Sequence, residues 1–272
     1  MKKRFIILID FSEYSSNLIR YACDWGNQTN AELLLVHQSI VLAPALTDIE
    51  GRLQIGQQTN YEALQKLKTL AKELIPPTVK VTFSVSENHM HIILSNLLEE
   101  PFDNLIFAGI KGTGLLKKIF MGSVALQVID NTKNIIVAMP KEIATYSHRN
   151  IFVAVTEKHP LNFLELTKFL NFIDSENTSI TFFYLAKPNE KTRNIEKHLT
   201  DLTLFFADRF DTTFAIYEGS NTFADIKKVI NNKIEEILIV QKGSRLLTDQ
   251  LFRKFLINEL VYEGQTPLII LP

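Results

Sequence analysis

Short, unbroken apolar runs recur along this chain, and the stretches between them are too long for hairpins. In the first half they cover residues 5–9, 33–36, 105–108 and 135–139, with an alternating run at 79–85. Continuous runs of this kind mark strands buried on both faces, as in parallel sheets. Parallel neighbours need a crossover of a dozen or more residues, usually a helix. The intervening segments carry that spacing. Leu18, Tyr21/Ala22 and Trp25 form one stripe, with Ser15 or Ser16 as cap and a break at 26–30. Tyr61, Leu64, Leu67, Ala71 and Leu74 form a second, stopped by Pro76-Pro77. Residues 92–98 predict a third helix, and Val124, Val128 and Ile129 a fourth that begins at Gly122 or Ser123. The class this fixes is α/β, a doubly wound parallel sheet.

The pattern then starts again. Residues 141–150, KEIATYSHRN, are polar, lack periodicity and read as a linker. Strands follow at 151–155, 180–185, 213–217, 237–240 and 268–271, separated by four helical segments. A repeat of about 130 residues is domain-sized rather than a solenoid unit. Two tandem Rossmann-like domains are expected, at 1–143 and 149–272, each with five strands and about four helices. The last strands of the halves, 135–139 and 268–271, are candidates to pair within the chain and so cover two exposed edges.

The chain has 272 residues, is 46% apolar and carries a net charge of −1, so nothing in its overall charge favours nucleic acid or an anionic membrane. Its single cysteine, Cys23, has no disulfide partner and reads as a small core residue. The apolar run after Met1-Lys2-Lys3-Arg4 is interrupted by Asp10, too early for a signal peptide. No run approaches the roughly 18 apolar residues of a membrane helix. The expectation is a cytoplasmic protein.

The stretch with chemistry is AGIKGTGLLKKIFMGSVALQ, which follows the fourth strand. Gly109 and Gly112 permit a backbone approach to phosphate, and Gly122-Ser123 opens a helix whose amides and hydroxyl suit an anion. Lys111, Lys117 and Lys118 add positive charge. The pattern is neither GxxxxGK[ST] nor GxGxxG, which removes the standard P-loop and dinucleotide readings. His89-x-His91 lacks a third ligand at metal spacing. His37, at the end of the second strand, reads first as a histidine satisfied by a neighbouring loop.

Gly109-x2-Gly112-x9-Gly122-Ser123 resembles the ATP-binding signature of the universal stress protein family. Ile9-Asp10-Phe11-Ser12-Glu13 resembles that family's first strand and loop, and the likeness extends over the whole chain as two domains. The resemblance implies that an adenine nucleotide, with or without Mg, is held by Asp10, Phe11, Ser12, Gln38, Gly109, Lys111, Gly112, Gly122, Ser123 and Val124. Asp10 would lie at the base, and the glycines, Lys111, Ser123 and Val124 around ribose and phosphates. It also implies a role in stress response or signalling, with pairing of the two domains and further dimerisation left open.

Gln38 departs from the resemblance, standing where an apolar valine is common. In the second half Thr156 stands where Asp10 stands, and Gln241, Ser244, Lys254 and Phe255 replace Gly109, Gly112, Gly122 and Ser123. Nucleotide is therefore expected in the first domain only. No carboxylate pair, triad or metal cluster is in view to activate water, so at most slow ATP hydrolysis is expected. The alternative is an interaction scaffold that binds no nucleotide. Phe172 with Phe205/Phe206 is a candidate interface.

Overall fold

The computed structural model describes residues 1–109, 128, 131–140, 143–156, 160–218, 236–242 and 266–272. The first half runs β1 (Lys2–Leu8), α1 (Ser15–Thr29), β2 (Glu32–Gln38), α2 (Ile49–Leu74), β3 (Val81–Ser86), α3 (Met90–Leu98), β4 (Phe102–Gly109) and β5 (Ile136–Met139). The second runs β6 (Asn150–Ala154), α4 (Phe163–Leu170), β7 (Ser179–Ala186), α5 (Arg193–Phe206), β8 (Asp211–Glu218), β9 (Glu236–Gln241) and β10 (Leu268–Leu271). The expected helices at 223–230 and 251–262 lie outside the described residues.

All ten strands belong to one sheet, in the order β3-β2-β1-β4-β5-β10-β9-β6-β7-β8. Within each half the strands are parallel, and both halves wind in the same order. The halves meet at β5 and β10, which pair antiparallel with Ile269 opposite Val137. Both strands are buried along their whole length. An apolar strand left at an open edge would template association with other chains, and this pairing removes two such edges. The antiparallel sense has a geometric consequence: the strand carboxyl ends of the two halves point in opposite directions.

Alternation along the strands sends side chains to two layers. Phe5, Ile7, Leu33, Leu35, Leu105 and Phe107 face α1 and α2, in a core that also takes in α4 and α5. Ile6, Leu34, Val36 and Ile106 face α3 and Val128.

Several local expectations change. Neither Ser15 nor Ser16 caps α1: its N-cap is Tyr14, which makes no side-chain capping bond. Asp10 does that work from further back, accepting from Ser12 N at 2.9 Å and Ser15 Oγ at 3.3 Å. The helix also continues through Gly26 to Thr29 and ends on Asn30, which is left-handed at φ 53°. A Cβ at Gly26 would meet Leu33 Cδ2 at 3.2 Å, so glycine is there for the close approach of α1 to β2. In α2 the buried stripe is Gly56, Ala63, Leu67 and Ala71. Tyr61 is 59% exposed, because two residues before Ala63 is about 200° round the helix.

The segment 141–150 is not only a linker. Ile143 and Tyr146 are buried, and Tyr146 stacks on Trp25 with ring centroids 4.6 Å apart and planes 9° apart. Trp25 Nε1 donates to the Phe172 carbonyl at 2.7 Å, and Phe5, Phe107 and Phe169 pack edge-on to its ring. Residues of both halves thus share one aromatic cluster. Phe172 is buried within it, which removes it from an interface with Phe205, itself 61% exposed.

Half-buried His148 stacks on Tyr146, and burial holds its imidazole below the usual range, against an opposing pull from Asp174. The unfolded chain then takes up a proton first. The contribution is complete above the ordinary histidine pKa of about 6.5 and is lost as pH falls through the lower folded value. His148→Gln is expected to flatten the decline in unfolding midpoint between about pH 7 and pH 5. Denaturant titrations across that range would reject this by showing parallel pH profiles for the two proteins.

Candidate functional site

The order β3-β2-β1-β4-β5 reverses direction between β1 and β4. The connections on the two sides of that point lie on opposite faces: α1 and α2 pack on one, α3 and Val128 on the other. A crevice therefore opens at the carboxyl ends of β1 and β4, the place where ligands bind in sheets wound this way. The loop 10–12 and Gly109 are at that crevice.

Each residue of the loop has a distinct environment. Asp10 is exposed, and its Oδ1 holds the turn into α1. Phe11 adopts φ 57°, a left-handed conformation that L side chains disfavour by roughly 1–2 kcal/mol. Its ring lies 4.5 Å from that of His37, with Lys66 Nζ 5.2 Å from its centroid. Ser12 Oγ is buried and has no hydrogen-bond partner among the described residues. A buried hydroxyl left unpaired is costly, and one at a crevice mouth fits a site that a polar ligand completes.

His37 Nδ1 donates to the Ile9 carbonyl at 2.8 Å, the loop-satisfied role anticipated for it. Gln38 is half-buried at the end of β2. Beside it, Ser39 Oγ bonds Asn60 Oδ1 at 2.5 Å, which anchors α2 to the rim of the sheet. Nothing in the local sequence around Lys66 and Asn60 marks a helix residue that reaches across to a strand end. Lys111, Gly112, Gly122, Ser123 and Val124 lie outside the described residues, as do Lys117 and Lys118. His89 and His91 stack at 5.8 Å at the start of α3, not along a strand. Among the described residues no group of three or more His, Cys, Asp or Glu is placed to hold a metal ion.

A model of the Universal stress protein family matches residues 1–137. The chain belongs to the universal stress protein family. In structure it is similar to a universal stress protein from Archaeoglobus fulgidus DSM 4304, with a TM-score of 0.67 and 15% identity, covering 98% of this chain and 97% of that one. It is also similar to a candidate universal stress protein from Pseudomonas aeruginosa UCBPP-PA14, at 0.56 and 12%, with 99% and 93% covered. At these identities the likeness carries the fold. A search of curated proteins finds no match.

The second half of this universal stress protein treats the same crevice differently. Val155 N donates to the Phe183 carbonyl at 2.9 Å, as Ile9 N does to Val36 at 2.8 Å, so Thr156 occupies the place of Asp10. The registers of β9 on β6 and of β4 on β1 then set Gln241 in the place of Gly109. Gln241 Oε1 accepts from Asn162 N at 2.8 Å, and its Nε2 donates to the Pro272 carbonyl at 2.5 Å. Asn162 is itself the N-cap of α4, accepting from Glu165 N at 3.3 Å. The glutamine thus joins the end of β9, the start of α4 and Pro272 after β10. In the first half a Cβ at Gly109 would stand 3.9 Å from Leu18 and Tyr14, an ordinary contact distance. Packing among the described residues does not demand glycine there.

Proposed function

We propose that this universal stress protein binds ATP or a related adenine nucleotide in the crevice of its first half, and acts by that binding in stress response or signalling. The observation that carries the reading is the contrast between the two crevices. The first has glycine at position 109, where packing among the described residues would accept a side chain, whereas Gln241 bonds across the second. The buried, unpaired Ser12 hydroxyl agrees with a polar ligand at the first. The glycine segment after β4 would take the phosphates, with or without Mg, and the loop 10–12 and Gln38 would take the nucleoside. Bound nucleotide supplies a phosphate state to be read out. In this reading the described residues supply binding and orientation. Binding is thus assigned to one site per chain.

The second reading, an interaction scaffold, is favoured by one observation. Ile40, Leu42, Leu46, Ile49 and Leu53, leading into α2 and along its first turns, are 75%, 84%, 100%, 81% and 57% exposed. A run of closely spaced exposed apolar side chains of this kind marks an interaction surface.

Thermal unfolding with ATP, ADP and AMP separates the two. A ligand at 100 times its Kd adds about 2.7 kcal/mol to folding, which for a chain of this size raises the midpoint by roughly 5–10 °C. No shift at millimolar nucleotide would reject the nucleotide reading and leave the scaffold.

A further inference from the structure

We infer that two copies of this chain pair through β3, the outer strand of the first half, which lies antiparallel to the same strand of the second copy and joins the two sheets into one. β3 ends the sheet order on its side, and among the described residues no further strand lies beside it. Leu33 N donates to the Lys80 carbonyl at 2.9 Å, and Ser39 N to the Ser86 carbonyl at 2.9 Å. In a parallel ladder alternate residues turn both backbone groups to the same neighbour. Thr82 and Ser84 thus bond toward β2, and Val81, Phe83 and Val85 turn N–H and C=O outward. Edge strands are commonly blunted by charge or proline. β3 reads VTFSVS and carries neither.

The occupant that fits this edge is the edge itself. A two-fold axis perpendicular to the sheet and centred on Phe83 sets Phe83 opposite Phe83 and Val81 opposite Val85. The outward N–H and C=O of all three residues then find partners. Their half-buried side chains pack on the core layer beneath α2, so that layer continues across the seam. On the other face Thr82 stands opposite Ser84, a hydroxyl pair. Exposed Lys80 comes level with Ser86 of the second copy, next to its exposed Glu87. The opposite edge does not suit itself in this way. β8 ends in exposed Asp211 and exposed Glu218, and two antiparallel copies of it would bring those carboxylates together.

α2 adds a second contact. Lys66 reaches over Phe11, toward β1. At about 100° per residue, Tyr61, Leu64 and Lys68 lie on the opposite flank, above the open edge. Leu64 is half-buried there and Tyr61 largely exposed. A Cβ at Gly56 would stand 3.7 Å from the Glu87 carboxylate, which sets the height of α2 against β3. Phe83 is about 13 Å along the strand from Glu87. That is roughly nine helix residues from Gly56, so the two-fold passes beside Leu64 and Gln65. Leu64 then faces Leu64, and Tyr61 faces Lys68, ring to cation. A strand seam of about 20 Å is short for the roughly 800 Å² that each partner of a stable dimer buries, and the flanks of α2 extend it.

Sedimentation of the full chain at about 50 µM, far above a micromolar Kd, is expected to show a dimer. Val85→Pro removes one outward N–H and puts a ring in the seam, while the ladder to β2 stays whole. Thr82→Lys with Ser84→Lys sets ammonium groups against one another. Each change should weaken association at least about 100-fold. Thr82→Glu with Ser84→Glu should also give monomers, and mixing the glutamate and lysine chains should restore a dimer containing one of each. A monomeric wild type would overturn the assignment, as would a dimer that survives in both the proline and the lysine variants. So would a mixture of the lysine and glutamate chains, each folded by its unfolding midpoint, that stays monomeric.

Discussion

Gly109→Gln should weaken nucleotide binding at least 100-fold while leaving the fold intact. The substitution copies the second half, where Gln241 joins the start of α4 to Pro272. Two features argue that the chain will tolerate it. A Cβ at this position meets Leu18 and Tyr14 at 3.9 Å, without overlap, and no described glycine has a positive φ. The added side chain would project into the crevice at the point where β4 leads into the glycine segment, and so would exclude a phosphate. A 100-fold loss is about 2.7 kcal/mol. Calorimetry on the purified variant, with its unfolding midpoint measured alongside, gives the answer. Wild-type affinity in a well-folded variant would remove Gly109 from the site.

Trp25→Ala should be the most destabilising single truncation in the described core. Trp25 is fully buried, stacks on Tyr146, and meets Phe5, Tyr21, Phe107 and Phe169 edge-on. Truncating such a side chain costs about 3–5 kcal/mol through lost contacts and the cavity left behind. It also removes the donor to the Phe172 carbonyl. At about 2–4 °C per kcal/mol, the midpoint should fall by roughly 6–20 °C. Trp25→Phe keeps an aromatic ring and loses the N–H, so a smaller fall of about 1–2 kcal/mol is expected. Because Trp25 is the only tryptophan, its emission in the parent protein reports directly on this cluster. A midpoint for Trp25→Ala within about 3 °C of wild type would show that the two halves do not depend on the cluster.

The fold was legible because buried parallel strands advertise themselves. Runs such as Phe5-Ile6-Ile7 and Ile151-Phe152-Val153 are apolar on both faces, and helices of matching spacing separate them. What misled was local. Ser15 looked like a cap, but Asp10 reached the turn from five residues upstream. The polar segment 141–150 hid Tyr146, whose partner Trp25 lies more than a hundred positions away and leaves no trace in the neighbouring residues. At the candidate site, Asp10, Phe11, Ser12, Gln38 and Gly109 could be named from motif and strand ends. Lys66 and Asn60 could not, since they approach the rim from the middle of a 26-residue helix.

By itself the sequence determined the class, the repetition of the pattern and the asymmetry of the glycines, because each is written in residue type and spacing along a single strand, loop or helix. Only the tertiary structure decided how the halves share one sheet, which aromatic side chains form their common core, and that Gln241 bonds across one crevice while described packing around Gly109 would admit a side chain. Those outcomes depend on contacts between residues far apart in the chain, where direction, register and close approach are set by packing rather than by any local pattern.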